Sequence, residues 1–231
     1  MKKIGILGGM SWQSTVFYYR HINRMINERL GGLYSGECLV HSVDFQRVVD
    51  LQSNNDWKGL VRYLSTHLKS LETAGSAFAI MASNTVHLIH DELSKDIKIP
   101  LVHIVDAVGE RLYLDGKGKV GVLGTSYTLK HGLYKDRLRE YFRVGSLLPN
   151  GDQAGRLDEV IFGSLAHGRV TGEASSCVYS IANDLMQRGA GAIVLGCTEL
   201  GMLQPFEQPA YDAALIHCQK AVDIALKGKD G

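Results

Sequence analysis

The chain has 231 residues, enough for one large domain or two small ones with ample core in either case. Hydrophobic residues make up 45% and charged residues 21%, the balance of an ordinary globular protein. A net charge of +1 leaves no electrostatic footprint for nucleic acid or an anionic membrane, and no apolar run approaches the ~20 residues that span a bilayer.

The N-terminal MKKIGILGGMSW shares only its two lysines with a signal peptide and reads as a first strand, so the expected location is the cytoplasm. SWQSTVFYYRHINRMINERLGG follows as a long helix. Its stripe of Val16, Tyr19, Ile22, Met25, Ile26 and Leu30 recurs at three-to-four spacing, and Gly31-Gly32 ends it. ECLVHSVDF is a second strand, WKGLVRYLSTHLKSLETAG a second helix, and AFAIMA a third strand. NTVHLIHDELSKDI is a short helix with Asn84 or Thr85 as its cap. PLVHIVDAVGERLYLDG completes a first lobe over residues 1–115. The second lobe, 116–211, runs from KVGVLGTSYT through LYKDRLREYF, RLDEVIFGSLAHG, a helix near SCVYSIANDLMQRGA and the strand AIVLGC. A C-terminal helix over about 212–231 packs back on the first lobe. Strands alternating with helices imply parallel sheets.

An internal repeat organises the whole. Gly75-SAFAIMA-Ser83-Asn84-Thr85 matches Gly189-AGAIVLG-Cys197-Thr198-Glu199 at an offset of 114, and Lys3-IGIL-Gly8 matches Lys119-VGVL-Gly124 at 116. A weaker third pair sets the stretch after Pro100 against the stretch after Pro209. Two strand-plus-turn units at nearly one offset point to a duplication of about half the chain. The expected fold is α/β, with two similar Rossmann-like lobes facing each other across a cleft. Ser83 and Cys197 are counterparts at the C-terminal ends of strands, where α/β sheets place ligands.

The glycines after the first strand are not G-x-G-x-x-G, and no acidic residue follows at the dinucleotide spacing. A nucleotide site is therefore not expected. A small carboxylate held by backbone N–H groups at a helix start is the better reading. Met10, Ser11, Asn84, Thr85, Thr125, Ser126, Thr128 and Thr198 form a set of uncharged donors at four such turns, suited to a small anion. Singly, each hydroxyl reads as a helix cap rather than a ligand, and the functional reading rests on four such turns recurring in matched pairs. Trp12, like Phe17, Tyr18 and Tyr19, reads as a core or interface aromatic, yet lies close enough to the first turn to wall a pocket. Asp44, Arg47 and Gln52 follow the second strand either as substrate contacts or as a solvated loop, and Gln52 stays among the substrate-binding candidates. His87 and His90 have metal-ligand spacing but no partner cluster, so they read as ordinary hydrogen-bonded histidines and no metal is expected. Four cysteines without C-x-x-C spacing read as free thiols. Cys38, Cys177 and Cys218 sit in core patterns, and Cys197 stands at a strand end.

GGMSWQST with YYRHIN, HSVDF, SNTVH, LGTSYT and GCTELGML, in that order over nearly the whole chain, resemble the aspartate/glutamate racemase superfamily. The nearest likeness is to enterobacterial-type L-aspartate/glutamate-specific, broad-spectrum racemases. The resemblance implies a cofactor-independent enzyme, pseudo-twofold lobes, a homodimer and a small acidic amino acid as substrate. It also implies two thiols on opposite faces of the α-carbon, one removing a proton and the other returning one, with the cysteine pKa tuned toward neutral at a helix start. Ser83 departs from that pattern. The usual residue there is cysteine and the nearest relatives carry threonine, so a natural hydroxyl and a Cys→Ser replacement both fit. Cys197 remains the base, Glu199 is expected to orient its turn, and His87 is a supporting residue. A single-cysteine decarboxylase or isomerase of the same superfamily and a non-catalytic small-anion binder are the alternatives.

Overall fold

The computed structural model describes residues 1–203 and 205–227. The last residues of the expected C-terminal helix, 228–231, lie outside the described residues. The chain divides into two compact units, one of Met1–His103 with the chain from His217 onward, the other Ile104–Ile216.

In the first unit, β1 (Ile4–Gly8), α1 (Trp12–Leu30), β2 (Cys38–Ser42), α2 (Phe45–Ser53), α3 (Trp57–Thr73) and β3 (Phe78–Met81) come in order. A 3-10 turn (Thr85–Ile89) then runs into α4 (His90–Lys95), and β4 (Leu101–Val102) closes the sheet. The strands lie β2-β1-β3-β4, all parallel. Every residue of β1 and β3 is buried, as in a sheet covered by helices on both faces. On one face, Leu60, Leu64, Leu68 and Leu71 of α3 pack with Leu7, Ala79, Met81 and Leu93. Each such leucine contributes about 1.5–3 kcal/mol of burial free energy. The face of α1 that is buried runs through Thr15, Tyr18, Ile22 and Ile26. Val16 and Tyr19, expected in the apolar stripe, are exposed because Thr15 and Tyr18 take the inward positions.

The second unit opens with α5 (Ile104–Leu114), followed by β5 (Lys119–Leu123), α6 (Ser126–Lys130), α7 (Leu133–Phe142) and β6 (Gly145–Leu147). Then come α8 (Gly151–Gly163), a 3-10 turn (Leu165–His167), α9 (Gly172–Gln187), β7 (Ile193–Leu195), a 3-10 turn (Thr198–Leu203), β8 (Ala210–Asp212) and α10 (Ala213–Leu226). Its sheet is also parallel, ordered β6-β5-β7-β8. Leu157 and Ile161 of α8 and Val178, Ile181 and Leu185 of α9 fill one face against Leu123, Ile193 and Leu195. The boundary falls at Ile104, not at residue 116. The reason is α5, whose Asp106 carboxylate receives both Nε and Nη2 of Arg137 on α7. Gly109 of α5 also lies so close to Phe142 that a Cβ would sit 2.3 Å from the ring.

The repeat is preserved in strand register. Gly5 pairs with Ala79, and their counterparts Gly121 and Ile193 pair in turn. Ala79 pairs with Leu101, and Ile193 with Ala210, which makes the weak third sequence pair an equivalent strand. Gly75 and Gly189 both take left-handed backbone, φ 88 and 94, where other residues would be strained. Each lets the chain turn from a helix into a strand beside Lys3 or Lys119.

Two elements depart from the expected order. The stretch after β2, read as a loop or a substrate contact, is the helix α2, with Asp44 as N-cap accepting from Gln46 N–H at 3.0 Å. Its sequence hides the helix because only Val48 is buried. β6 was not expected at all. Its three residues, Gly145-Ser146-Leu147, carry too little apolar signal to mark a strand.

Candidate active site

Parallel register brings the predicted turns of each unit to one edge of its sheet. In the first unit, Ala82 N–H donates to the Leu7 carbonyl at 2.9 Å, so the Gly8–Ser11 turn and Ser83 lie side by side. In the second, Gly196 N–H donates to the Leu123 carbonyl at 2.7 Å, placing Thr125 beside Cys197. Both edges are the C-terminal ends of strands, the usual ligand edge of such sheets.

Gly9 in the first turn has φ 93, and a Cβ there would sit 2.2 Å from the Val43 carbonyl oxygen. Its N–H donates to Thr15 Oγ1 at 2.8 Å. Ser11 caps α1, its Oγ accepting from Ser14 N–H at 3.3 Å. The Gly9 N–H is therefore spent inside the unit, which removes one of the donors expected to hold a carboxylate. Met10 is buried, and Trp12 opens α1 with 66% of its surface exposed, so it is not a core aromatic. Gln52 sits half-buried on α2, its Nε2 without a hydrogen-bond partner among the described residues.

Ser83 is half-buried one residue before the buried Asn84, and Thr85 begins the 3-10 turn. The Asn84 side chain, at the N-cap, does not form the expected cap hydrogen bond, and the backbone there is already helical. His87 Nδ1 reaches back to the Ser83 carbonyl at 2.8 Å. Carbonyls only accept, so Nδ1 carries the hydrogen. Burial, reinforced by His217 and His90, pushes the His87 pKa well below its ordinary value. No group of three His, Cys, Asp or Glu side chains among the described residues is placed to hold a metal ion.

In the second unit, Thr125 caps α6, accepting from Thr128 N–H at 3.3 Å with the two hydroxyls 3.0 Å apart. Ser126 directs both N–H and hydroxyl to the Asp158 carboxylate and is not available as a donor. Asp158, 32 residues away on α8, gives no signal in the sequence.

Cys197 is half-buried at the end of β7, and its Sγ donates to Glu199 Oε2 at 2.9 Å. Burial pushes the thiol pKa well above its ordinary value, and the Glu199 carboxylate adds to the rise. This reverses the expected tuning toward neutral. The following helix, Thr198–Leu203, is a short 3-10 turn, and its partial positive end is outweighed by burial and by Glu199. The Glu199 carboxylate thus touches the sulfur directly, accepting a hydrogen bond from the protonated thiol. Tyr134, not singled out by sequence, is buried near both this sulfur and the Asp212 carboxylate. Of the remaining thiols, Cys218 is buried while Cys38 and Cys177 are only partly so, and burial pushes Cys38 up to about 11.

Known proteins share this architecture. A crystal structure from Yersinia pestis described as a candidate Asp/Glu racemase superposes with a TM-score of 0.93 at 33% identity, covering 98% of this chain and 100% of that one. An aspartate racemase homologue from Pyrococcus horikoshii superposes with a TM-score of 0.88 at 30% identity over 98% and 100%. A broad specificity amino-acid racemase of Bacillus subtilis is 25% identical over 140 residues, 59% of this chain and 60% of that protein's length. Residues 7–222 match the model of the Asp/Glu/Hydantoin racemase family, and the chain belongs to that family.

Proposed function

We propose that this protein is an amino-acid racemase acting on aspartate or glutamate, with Cys197 as the base and Ser83 in place of a second thiol. The observation that carries this reading is the Cys197–Glu199 contact at the end of β7, in register with Ser83 at the equivalent end of β3. A thiol whose pKa is raised above its ordinary value stays protonated at neutral pH. Glu199 Oε2, 2.9 Å from Sγ, is the group that takes its proton as substrate binds. The thiolate then removes the α-proton of the L-enantiomer, leaving a carbanion stabilised by its own carboxyl group. Return of the proton from Cys197 restores the L-enantiomer, whereas donation by Ser83 from the opposite face gives the D-enantiomer. A serine hydroxyl is a much poorer acid than a thiol, so exchange outpaces inversion.

Substrate carboxylates fall to Met10, Ser11, Gln52, Asn84, Thr85, Thr125, Thr128 and Thr198, with Trp12 as a wall. The chemistry needs no cofactor: Glu199, Cys197 and Ser83 make the proton transfers, and after inversion the proton held by Glu199 passes through solvent to the Ser83 alkoxide, which restores the starting state. A homodimer fits the exposed Trp12, Val16 and Tyr19, which share one face of α1. No helix among the described residues is long and apolar enough to cross a membrane. A cytoplasmic location belongs to the same reading.

The test is incubation of L-aspartate and L-glutamate with the protein in deuterated water, followed by proton NMR. The expected result is α-deuteration of the L-substrate, lost in Cys197→Ser. Exchange undiminished in that variant would remove Cys197 as the base. Carbon dioxide release from a malonate would instead indicate a decarboxylase, and binding without exchange a non-catalytic anion binder.

A further inference from the structure

The Ser83 turn is held from behind by a nest of buried histidines. His87, His90, His103 and His217 are each at most 9% exposed. The His87 ring lies 4.9 Å from that of His103, 5.5 Å from His217 and 6.3 Å from His90, centroid to centroid. His217 is clamped in turn. Its Nε2 donates to the Val102 carbonyl at 3.1 Å, leaving Nδ1 to accept from the Tyr18 hydroxyl at 3.0 Å. His90 Nε2 donates to the Leu101 carbonyl at 2.9 Å. Residues from α1, α4, β4 and α10 therefore fix the His87 ring in place. Its polar contacts go to the Ser83 carbonyl at 2.8 Å and the Asn84 carbonyl at 3.3 Å. The far nitrogen, Nε2, is buried with no hydrogen-bond partner among the described residues.

The repeat shows that this arrangement is particular to the first unit. At the offset of 114, the counterpart of His87 is Gly201, and a Cβ there would meet Asp212 Oδ2 at 2.4 Å. The second unit has no side chain reaching back to the Cys197 carbonyl from that position, and Glu199 instead engages the thiol itself. One turn is controlled at its reactive atom, the other through its backbone.

We infer that His87 is a positioning residue, whose Nδ1–H holds the Ser83 carbonyl and so fixes the turn that presents the Ser83 side chain to the substrate. The inference rests on the reading of Ser83 as the residue of the second face. Nδ1 is spent on that carbonyl, and the one nitrogen left with a lone pair, Nε2, is fully buried and so closed to substrate. His87 therefore acts through Ser83.

The test uses three replacements. The amide nitrogen of Asn lies as far from Cβ as Nδ1 does, that of Gln reaches toward Nε2, and Leu has no donor. In a Ser83→Cys background, D-aspartate exchange reports the first turn and L-aspartate exchange reports Cys197. With His87→Leu or His87→Gln, kcat for D-exchange should fall at least about tenfold relative to L-exchange, the scale of a misplaced reacting group, with KM little changed. His87→Asn should recover most of that loss. Equal D-to-L ratios in all three variants would overturn the inference. If His87→Leu fails to fold, the Asn and Gln pair decides.

A second measurement separates this inference from the proposed activity. In the unmodified protein, ring 15N NMR should find His87 protonated at Nδ1 and His217 at Nε2. The Ser83 carbonyl carbon shift should move in His87→Gln and hold in His87→Asn. A His87 protonated at Nε2 would refute the inference even if the enzyme is a racemase. Correct tautomers and shifts without any α-proton exchange would refute only the reading of the activity.

Discussion

Acidification from pH 7 to pH 5 should destabilise the first unit through His217. Its pKa is lowered from 6.5 to about 4, mainly by burial, with the Val102 carbonyl opposing the shift and His90 adding to it. Between these values the unfolded chain holds more protons than the folded one, so stability falls as pH falls. At pH 7 the effect is almost nil. At pH 5 the unfolded imidazole is nearly fully charged and the folded one nearly neutral, which costs about 2 kcal/mol by proton linkage. His87, lowered in the same direction by burial and by neighbouring His217 and His90, adds to this, as does the more exposed His67. Titratable groups facing this nest include Asp91, 3.0 Å from His90 Nδ1, and the neighbouring histidines themselves. Asp115 and Asp184, whose pKa values are lowered by Arg111 and Arg188, titrate below this window. Trp12 and Trp57, the two tryptophans, both lie in the first unit, so their fluorescence follows the unit that contains His217. Thermal scans should give a Tm at pH 5 about 4–8 °C below that at pH 7, from the usual shift of a few degrees per kcal/mol at this size. His217→Gln should flatten that dependence, even if it lowers stability at pH 7. A Tm that holds or rises from pH 7 to pH 5, or an unchanged slope in the variant, would refute the burial of a neutral His217.

Glu199→Gln removes the carboxylate that raises the Cys197 thiol, so the pH midpoint of Cys197 alkylation by iodoacetamide should move down while α-proton exchange is lost. A midpoint that stays or rises would show that Glu199 does not control the sulfur. Gly9→Ala places a Cβ against the Val43 backbone at a left-handed φ of 93, and should cost at least about 2 kcal/mol, measured as a lower Tm by tryptophan fluorescence. A variant as stable as the parent would mean that the turn relaxes freely.

The repeat was legible in the sequence because buried parallel strands are written as short apolar runs bounded by glycine and polar residues. The pairs Gly5–Ala79 and Gly121–Ile193 then show that sequence offset carries over into strand register. The elements that escaped notice bury little. α2 buries Val48 alone, and β6 is three half-buried residues at a sheet edge, so neither writes a hydrophobic period. Composition and periodicity cannot register an element that contributes so little to the core.

Strand ends locate Ser83 and Cys197 from sequence because the chain must leave the sheet there, whatever surrounds it. What the surroundings do to those residues was decided by tertiary structure. The Cys197 thiol is raised rather than lowered, because burial and a carboxylate two residues on outweigh the end of a short 3-10 turn. Ser126, a donor by residue type, is spent on Asp158 from another helix. His87 and His90 look like a possible metal pair, yet His103 and His217 join them in a packed nest through residues up to 130 positions distant. Apolar spacing is local and so is written along the chain. Desolvation and charge depend on every neighbour in space, and those neighbours are set only when the sheets and helices have packed.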